Sequence, residues 1–578
     1  MISVIGEVLT KSQILENIYL EISIQGMPRI LSLMDREEFR PTYGSFDRNY
    51  WQYKMIDFSG SLFQTATLSL ALAYKYQFEG NPYYNNKKIL KLCVGAIDYL
   101  PKIQNKDGSF SHNYPYIFSV AAVSFPIYAA TEAHLLLQND SEYRINEDPF
   151  YTSLKNSAKW LMRRFDSNVI NQEAGSLMAL YNIFLITKDQ TYLKAIKEKL
   201  QNILMYQTTE GWFNEYGGCD LGYSTLTVDY LAKYYAKTKD SSVLEPLGKL
   251  LHFLHHFISL TGTLGGEYAS RNNEFVIPSG FECLSNIFPE SREIANCIIK
   301  NLTNNSMMNP NNMDDVYFCI NHHSFFQAAH YFEHFRNNDW LNLPKKTGIN
   351  QPYSNYFTDA QIFLLSNQKF SVIVGCGKGG VLRVFKNEKP CPKLLLTDCG
   401  YVGKTKNDKI ISNQWLDRNN NIQYNEEEKE LTIYSVFHKL SFNTTSSLKI
   451  IISRLALPLL KNTSYFRKKL YKYLRKKMIY NAPPVPLELK RKIKFKENTI
   501  NLTDKITVRK GFGVKSLINI PKFTTIYGQS KNFFQKQELD YLDFEKSEDI
   551  CNTLKTHRSV YVRKTLDLRN EVLSVEYS

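Results

Sequence analysis

The chain has 578 residues, of which 43% are hydrophobic and 22% are charged. This length is more than one hydrophobic core supports, and the composition excludes an intrinsically disordered chain, so two or three folded domains are expected. We find no secretory signal pattern, no apolar run of about 20 residues, and no metal or disulfide spacing among the nine cysteines, which together predict a cytoplasmic protein.

Charge divides the chain into two unlike parts. Residues 346–578 hold 41 basic and 21 acidic side chains, whereas residues 1–345 hold 30 basic and 35 acidic ones. Such asymmetry predicts a domain boundary near residue 345, with domains at 1–345 and 346–578. The excess of positive charge also indicates that the second domain meets an anionic partner.

The first domain is predicted to be helical. Apolar residues recur at helix spacing over ten segments, which are 62–78, 84–99, 117–138, 151–165, 171–186, 190–206, 224–236, 242–258, 290–302 and 314–336. The short linkers between them are rich in Gly, Asn, Asp and Pro, which predicts antiparallel helical hairpins. A ring of such hairpins is an α/α toroid, and an open stack is a solenoid. No sequence repeat supports the helical-repeat families.

The second domain is predicted to be an antiparallel β-sandwich, which makes the whole chain an α+β multidomain protein. Short runs bounded by turn residues predict strands at 361–366, 370–377, 380–386, 393–400, 430–437, 447–455, 499–508, 559–568 and 571–578. A basic helix is predicted to interrupt them at 461–480. It could pack on the sandwich, attach peripherally to an anionic membrane surface, or bind a polyanionic glycan. No nucleic-acid motif accompanies it, so nucleic acid is not expected as a partner.

Six stretches, taken in order, resemble the heparinase II/III-like polysaccharide lyases, especially members found beside polysaccharide-biosynthesis genes. The similar stretches cover 39–64, 107–116, 171–189, 210–235, 265–282 and 400–404. The resemblance spans most of the chain and shares the order of a helical part followed by a β part. It implies an α/α toroid followed by a β-sandwich, β-elimination at a uronic acid as the reaction, and an acidic polysaccharide or oligosaccharide as the partner.

β-Elimination requires a base for the C5 proton, a group that neutralises the carboxylate, and an acid for the leaving oxygen. The resemblance places the catalytic tyrosine at Tyr223, with Tyr216 as its rival, and it places the carboxylate-binding groups at Asn171 and Arg271. A tyrosine can shuttle the proton only if a neighbouring cation lowers its pKa. Arg271 could instead pair with a nearby glutamate such as Glu267, and Asn171 could cap a helix.

Further residues are candidates for binding the substrate. Trp51 could stack on a sugar or plug the rim of the helical domain, and Arg48 could meet a carboxylate. An α/α toroid glycoside hydrolase would instead need two carboxylates across a cleft. The candidate substrate-binding residues are Gln172, His112, Asn113, Trp51, Arg48, Glu215, Asp220 and Glu267.

Two departures from the family pattern bear on activity. Gln172 stands where some relatives have a histidine base, and residues 371–385 lack the histidines that supply a base or metal site in active relatives. We therefore expect no metal and no other cofactor. The open interpretations are a lyase, a uronate C5-epimerase, and a non-catalytic glycan-binding or assembly protein of capsule, O-antigen or exopolysaccharide biosynthesis. Biosynthesis would suit a cytoplasmic protein held peripherally at the inner face of the membrane.

Overall fold

A computed structural model of the chain describes residues 17–112, 119–336, 353–388, 392–441, 446–461, 469, 473, 482–522 and 549–578. Helices occupy the described residues up to 336, and antiparallel strands dominate from 353 onward. A helix-rich N-terminal part followed by a C-terminal part of antiparallel sheets therefore confirms the predicted order of the two parts.

The helical part contains thirteen α-helices within the described residues. All ten predicted helices are present, and α1, α2 and α11 are additional. The helices are α1 (Ile18–Leu33), α2 (Arg48–Trp51), α3 (Thr67–Lys75), α4 (Lys87–Tyr99), α5 (Val120–Leu137), α6 (Glu147–Met162), α7 (Ile170–Thr187), α8 (Thr191–Leu204), α9 (Leu221–Thr238), α10 (Leu244–Thr261), α11 (Ser279–Leu284), α12 (Pro289–Thr303) and α13 (Asp315–Phe335).

Two kinds of helix alternate along this part. Helices α3, α5, α7 and α9 are buried over most of their surface, whereas α4, α6, α8, α10 and α12 bury one stripe each. Helices α11 and α13 are also mostly buried. These six helices pack in the order α3, α5, α7, α9, α11 and α13, and α13 also packs against α3. The described helices therefore pack in a cyclic order. By length and composition, α5 alone among the described helices could cross a membrane, and most of it is buried among its neighbours.

The β part is built from two antiparallel sheets. The first contains β1 to β5 in sequence order, and the second has the order β12-β6-β7-β9-β10-β11-β13-β14, with β8 paired to β9. The strands are β1 (Tyr353–Phe357), β2 (Ile362–Ser366), β3 (Phe370–Gly375), β4 (Val381–Lys386), β5 (Lys393–Asp398), β6 (Tyr401–Thr405), β7 (Ile410–Ser412), β8 (Asn421–Asn425), β9 (Glu430–Lys439), β10 (Pro484–Phe495), β11 (Thr499–Val508), β12 (Val514–Asn519), β13 (Ser559–Asp567) and β14 (Val572–Tyr577).

The first sheet forms a layer between the helices and the second sheet. On one face, Val372 and Val384 share a hydrophobic cluster with Ile433 and Ile493 of the second sheet. On its other face, Ile373 joins the core of the helical part. Because both faces are covered, β2 and β3 are buried at every residue, whereas β10 and β11 alternate between buried and half-buried residues.

A buried ionic network lies at the middle of the second sheet. The Arg491 guanidinium donates to both Asp504 oxygens at 2.8 Å and to Asp398 at 3.1 Å. Lys564 Nζ donates to Asp398 at 2.6 Å and to Asp504 at 3.1 Å. The Tyr401 hydroxyl adds a bond to Asp504 at 2.8 Å. The four charged side chains are at most 1% exposed, and their two positive and two negative charges balance.

The prediction of a strand at 447–455 is wrong. Helix α14 (Ser447–Lys461) occupies this run, and α15 (Asp549–His557) is a second helix among the strands. Residues 447–455 pair with no strand among the described residues, and a helix satisfies its backbone hydrogen bonds internally. The predicted basic helix at 461–480 lies outside the described residues, apart from 461, 469 and 473.

Candidate functional site

The predicted catalytic tyrosine lies at the start of α9. Asp220 is the N-cap of this helix, and its Oδ1 accepts the backbone N–H of Tyr223 at 3.0 Å. Tyr223 is therefore in the first turn, and the helix begins three residues earlier than predicted. In the preceding loop, Tyr216 has a left-handed backbone with φ of 57°, which is strained for a non-glycine residue.

Three tyrosines and one arginine meet at this position. The hydroxyls of Tyr223 and Tyr317 are 3.1 Å apart, and Tyr317 comes from the first turn of α13. The Arg271 guanidinium lies 4.4 Å from the centroid of the Tyr216 ring, which in turn is 5.9 Å from the Tyr223 ring. The structure thus brings together Tyr223, Tyr216 and Arg271. Sequence reasoning missed Tyr317.

The electrostatics of this tyrosine–arginine cluster favour the protonated forms of Tyr223 and Tyr317. Burial raises the pKa of Tyr223 well above its ordinary value, and the positive charge of Arg271 opposes this shift without cancelling it. Burial likewise raises the pKa of Tyr317. Both hydroxyls can therefore donate a proton at neutral pH. Tyr216 and Arg271 are only half-buried, so they are the members of the cluster that a ligand would reach first.

The loop that carries Arg271 is held from the β part. Lys378 lies in the turn between β3 and β4, and its Nζ donates to Asn272 Oδ1 at 2.7 Å and to the Ala269 carbonyl at 3.1 Å. Arg383 of β4 donates to the Gly265 carbonyl at 3.1 Å. These two cations are further residues that sequence reasoning missed. In the sequence they could have been found as the two charged residues in the otherwise largely apolar run 371–385.

The same loop is also held from the helical part. The Asp220 carboxylate accepts the backbone N–H of Arg271 at 3.1 Å and the side-chain amide of Asn273 at 3.1 Å. The N–H groups of Tyr223 and Arg271 thus share one carboxylate, which is fully buried. Asp220 was predicted to bind substrate, but these contacts make it a residue that positions the other two.

The amide side chains predicted to meet the substrate make contacts within the protein. Asn171 donates its backbone N–H and its Nδ2 to the two carboxylate oxygens of Glu215, at 2.8 and 2.6 Å. Asn171 therefore neither caps α7, whose N-cap is Val169, nor faces an open carboxylate site. Gln172 Oε1 accepts the N–H of Ala121 at the start of α5. Both amides hold the ends of helices in place.

The three carboxylates considered for a glycosidase pair are buried. Glu215 is bound by Asn171, Asp220 caps α9, and Glu267 lies 3.9 Å from Arg383. Burial raises the pKa of Glu215 well above its ordinary range and also raises the pKa of Asp220. These contacts give each carboxylate a structural role, which disfavours the glycoside hydrolase interpretation.

The remaining candidates lie along the segment before α3 and near the start of α5. His112 is half-buried; its Nδ1 contacts the Ser119 hydroxyl at 3.3 Å, and burial lowers its pKa to about 4. The Trp51 indole donates to the Leu33 carbonyl at 2.8 Å, which is a packing role. Arg48 is bonded to Gln52 at 2.6 Å. The predicted sugar-binding residue Asn113 lies outside the described residues.

Metal-ligating side chains are not grouped in the described part of the chain. Among those residues, no three His, Cys, Asp or Glu side chains are placed so that they could hold one ion.

The comparisons with known proteins give a fold and no family. No protein-family model and no curated protein matches the sequence. The chondroitin AC lyase of Streptomyces coelicolor A3, solved with chondroitin sulphate, covers 87% of this chain and 68% of its own, with 10% identity and a TM-score of 0.51. At this identity the likeness shows the fold alone, which is the fold of a polysaccharide lyase.

Two other solved structures are more distant. Heparan sulfate lyase HepC of Pedobacter heparinus covers 86% of this chain and 69% of its own, with 12% identity and a TM-score of 0.37. The unsaturated glucuronyl hydrolase of Streptococcus agalactiae covers 54% of this chain and 90% of its own, with 12% identity and a TM-score of 0.35.

Proposed function

We propose that this protein is a polysaccharide lyase that cleaves a uronic-acid-containing glycan by β-elimination. The observation that carries the proposal is the contact of the Arg271 guanidinium with the Tyr216 ring, next to the hydroxyl pair of Tyr223 and Tyr317. The likeness to the fold of a chondroitin AC lyase supports it. Within this proposal the cyclically packed helices form an α/α toroid, and the tyrosine–arginine cluster lies at the ends of its inner helices.

Each residue of the cluster would have one role. Arg271 would donate two hydrogen bonds to the uronate carboxylate and stabilise the negative charge that develops there once the C5 proton leaves. Tyr223, which burial keeps protonated, would donate its proton to the leaving oxygen as the C4–O bond breaks. Tyr216 would be the base that removes the C5 proton, because it is half-buried and its ring lies against the Arg271 guanidinium that binds the carboxylate.

An assay with single-site variants tests this assignment. Purified protein is incubated with chondroitin, heparan, alginate and polygalacturonate, and the ultraviolet absorbance of the new C4–C5 double bond is followed. Tyr223→Phe and Tyr216→Phe should each lower kcat about 10²-fold or more, because each removes a proton-transfer group. Arg271→Met should lower kcat by about 10²–10³-fold. Tyr74→Phe is the matched control, since that hydroxyl is bonded to Asp140 far from the cluster.

A non-catalytic glycan-binding or assembly protein of capsule, O-antigen or exopolysaccharide biosynthesis is the second candidate. The amides of Asn171 and Gln172 are engaged within the protein, which favours this candidate. It predicts no ultraviolet signal on any substrate, together with retention on a uronate column that Arg271→Met weakens. A C5-epimerase would instead incorporate deuterium at C5 from heavy water without forming the double bond.

The proposal includes a cytoplasmic location, as expected for a protein of glycan biosynthesis or oligosaccharide processing. Immunodetection in fractionated cells tests it. Recovery in the soluble or inner-membrane fraction is the expected result, and recovery from the periplasm or the culture medium would contradict it.

A further inference from the structure

Helix α14 exposes an apolar surface that the rest of the described protein leaves uncovered. Leu448, Ile451 and Leu455 are 66%, 55% and 73% exposed, and Ile450 and Ile452 are exposed as well. Because 450–452 are consecutive, these side chains point to several sides of the helix rather than along one stripe. Single exposed apolar residues are ordinary, but a cluster of five on one helix indicates a surface for interaction.

Within the described side chains, Arg454 joins this helix to the helical part of the protein. Arg454 Nη1 contacts Asp57 Oδ1 at 2.8 Å, and its guanidinium lies 5.9 Å from the Phe58 ring. The exposed apolar side chains of this helix, Leu448, Ile450, Ile451, Ile452 and Leu455, are called the α14 surface.

The stretch of sequence that begins with α14 is strongly basic. Residues 447–480 contain ten Lys or Arg residues and no Asp or Glu. Lys449 and Lys469 are both exposed. Exposed Ile and Leu side chains flanked by lysine and arginine are the combination that binds anionic lipid interfaces, because the headgroups attract the cations while the apolar side chains enter the acyl boundary.

We infer that the α14 surface docks on an anionic lipid bilayer. A second copy of the chain would bring α14, which carries three basic residues and no acidic one, against its own copy, and this like charge disfavours a symmetric dimer at this position. A nucleic acid or an acidic glycan would neutralise the cations but would leave the Ile and Leu side chains in water. Only a partner that is both anionic and apolar satisfies both features. Docking of this kind does not depend on the proposed lyase activity.

Vesicle binding by the full-length protein tests the inference. Wild-type protein should sediment with vesicles containing phosphatidylglycerol but not with vesicles of phosphatidylcholine alone. The binding should weaken as salt rises from roughly 0.05 to 0.5 M, because the Debye length shortens. Replacing Ile450, Ile451 and Ile452 together by Asn should lower the vesicle partition coefficient roughly tenfold or more.

Matched variants separate docking through the α14 surface from nonspecific adsorption to vesicles. Met205→Asn and Val572→Asn replace residues that are 72% and 56% exposed outside the α14 surface, and they should bind vesicles like the wild type. Circular dichroism should show unchanged folding in every variant, because all the replaced side chains are exposed. A Leu455→Trp variant adds a second measurement, since its fluorescence should shift to the blue on anionic vesicles and be quenched by brominated acyl chains.

Three results would overturn the inference. Equal vesicle binding by the wild type and the triple Asn variant would show that the α14 surface does not contact lipid. Equal binding to neutral and anionic vesicles would remove the role of charge. A dimer in solution that the triple Asn variant abolishes, without any vesicle binding by the wild type, would assign the surface to a second copy of the chain.

Discussion

Removal of Lys564 from the buried ionic network should be strongly destabilising. In Lys564→Met, Arg491 is the charged partner that remains for Asp398 and Asp504 among the described residues, so these three side chains carry a net negative charge inside the sheet. Loss of one partner from a buried pair costs about 3–5 kcal/mol, because the remaining charge is desolvated and uncompensated. The aliphatic part of Met replaces most of the lysine stem, so a cavity adds little to this cost.

Hydrogen exchange followed by mass spectrometry can localise this loss. The backbone amides of β11 and β13 flank the network, since Asp504 lies on β11 and Lys564 on β13. A loss of about 3–5 kcal/mol corresponds to exchange that is roughly 10²- to 10³-fold faster or more, if global opening controls exchange. Lys510→Met is the matched control, because that lysine is exposed at the end of β11 and should leave exchange almost unchanged.

The pH dependence of stability tests whether charge causes the loss in Lys564→Met. In the wild type, burial is outweighed by Arg491 and Lys564, which lower the pKa of Asp398 and of Asp504. Their stabilisation is therefore complete above the unfolded pKa of about 4 and is lost as the pH falls through the lowered values. In Lys564→Met a carboxylate can take up a proton and relieve the excess charge. The difference between variant and wild type should thus shrink from pH 7 to pH 4, and a constant difference, or exchange less than tenfold faster at pH 7, would refute the argument.

Three further predictions concern the site and the contact between the two parts. Glu215→Gln should cost about 1–3 kcal/mol in stability but keep the activity, because the amide nitrogen cannot accept one of the two N–H groups that Asn171 donates; loss of turnover in the folded variant would revive a glycosidase role. Gly265→Ala should cost about 2–3 kcal/mol or prevent folding, because φ is 87° and the added Cβ would lie 1.8 Å from the Asn273 carbonyl, which denaturant unfolding would detect. Glu210→Ala should cost about 1–3 kcal/mol and increase exchange at 358–361, because Glu210 accepts the N–H groups of Asp359 and Ala360 at 2.8 and 2.9 Å.

Helix periodicity was the most informative feature of the sequence. The segment 171–186 was predicted and α7 runs from 170 to 187, because an apolar pattern that long has no competing interpretation. The strand prediction for 447–455 was wrong because its apolar pattern is short and has two interpretations. Three consecutive isoleucines suit a buried strand and a helix equally well, and the choice depends on whether another strand is available for pairing. That information is not local to the run.

Contacts within the candidate site also depend on information that is not local in the sequence. The association of Tyr223 with Arg271 could be expected from an ordered resemblance along the chain. The contact of Tyr223 with Tyr317 joins residues 94 apart in sequence, and the contact of Lys378 with Asn272 joins residues 106 apart. Neither contact leaves a pattern in the sequence, because each depends on how the helices and the first sheet pack. The contact of Asn171 with Glu215 was not predicted for a related reason, since these two residues become neighbours only in the folded chain.

The location of Arg271 explains why this site needs both parts of the protein. Its loop is bound on one side by Asp220, which also fixes the first turn of α9 and therefore Tyr223. On the other side Lys378 and Arg383 bind the loop from the first sheet, which is itself buried between the helices and the second sheet. The position of the Arg271 guanidinium beside the Tyr216 ring thus depends on the packing of both the helices and the first sheet. The β part consequently supports the tyrosine–arginine cluster of the helical part, even though none of its described residues belongs to that cluster.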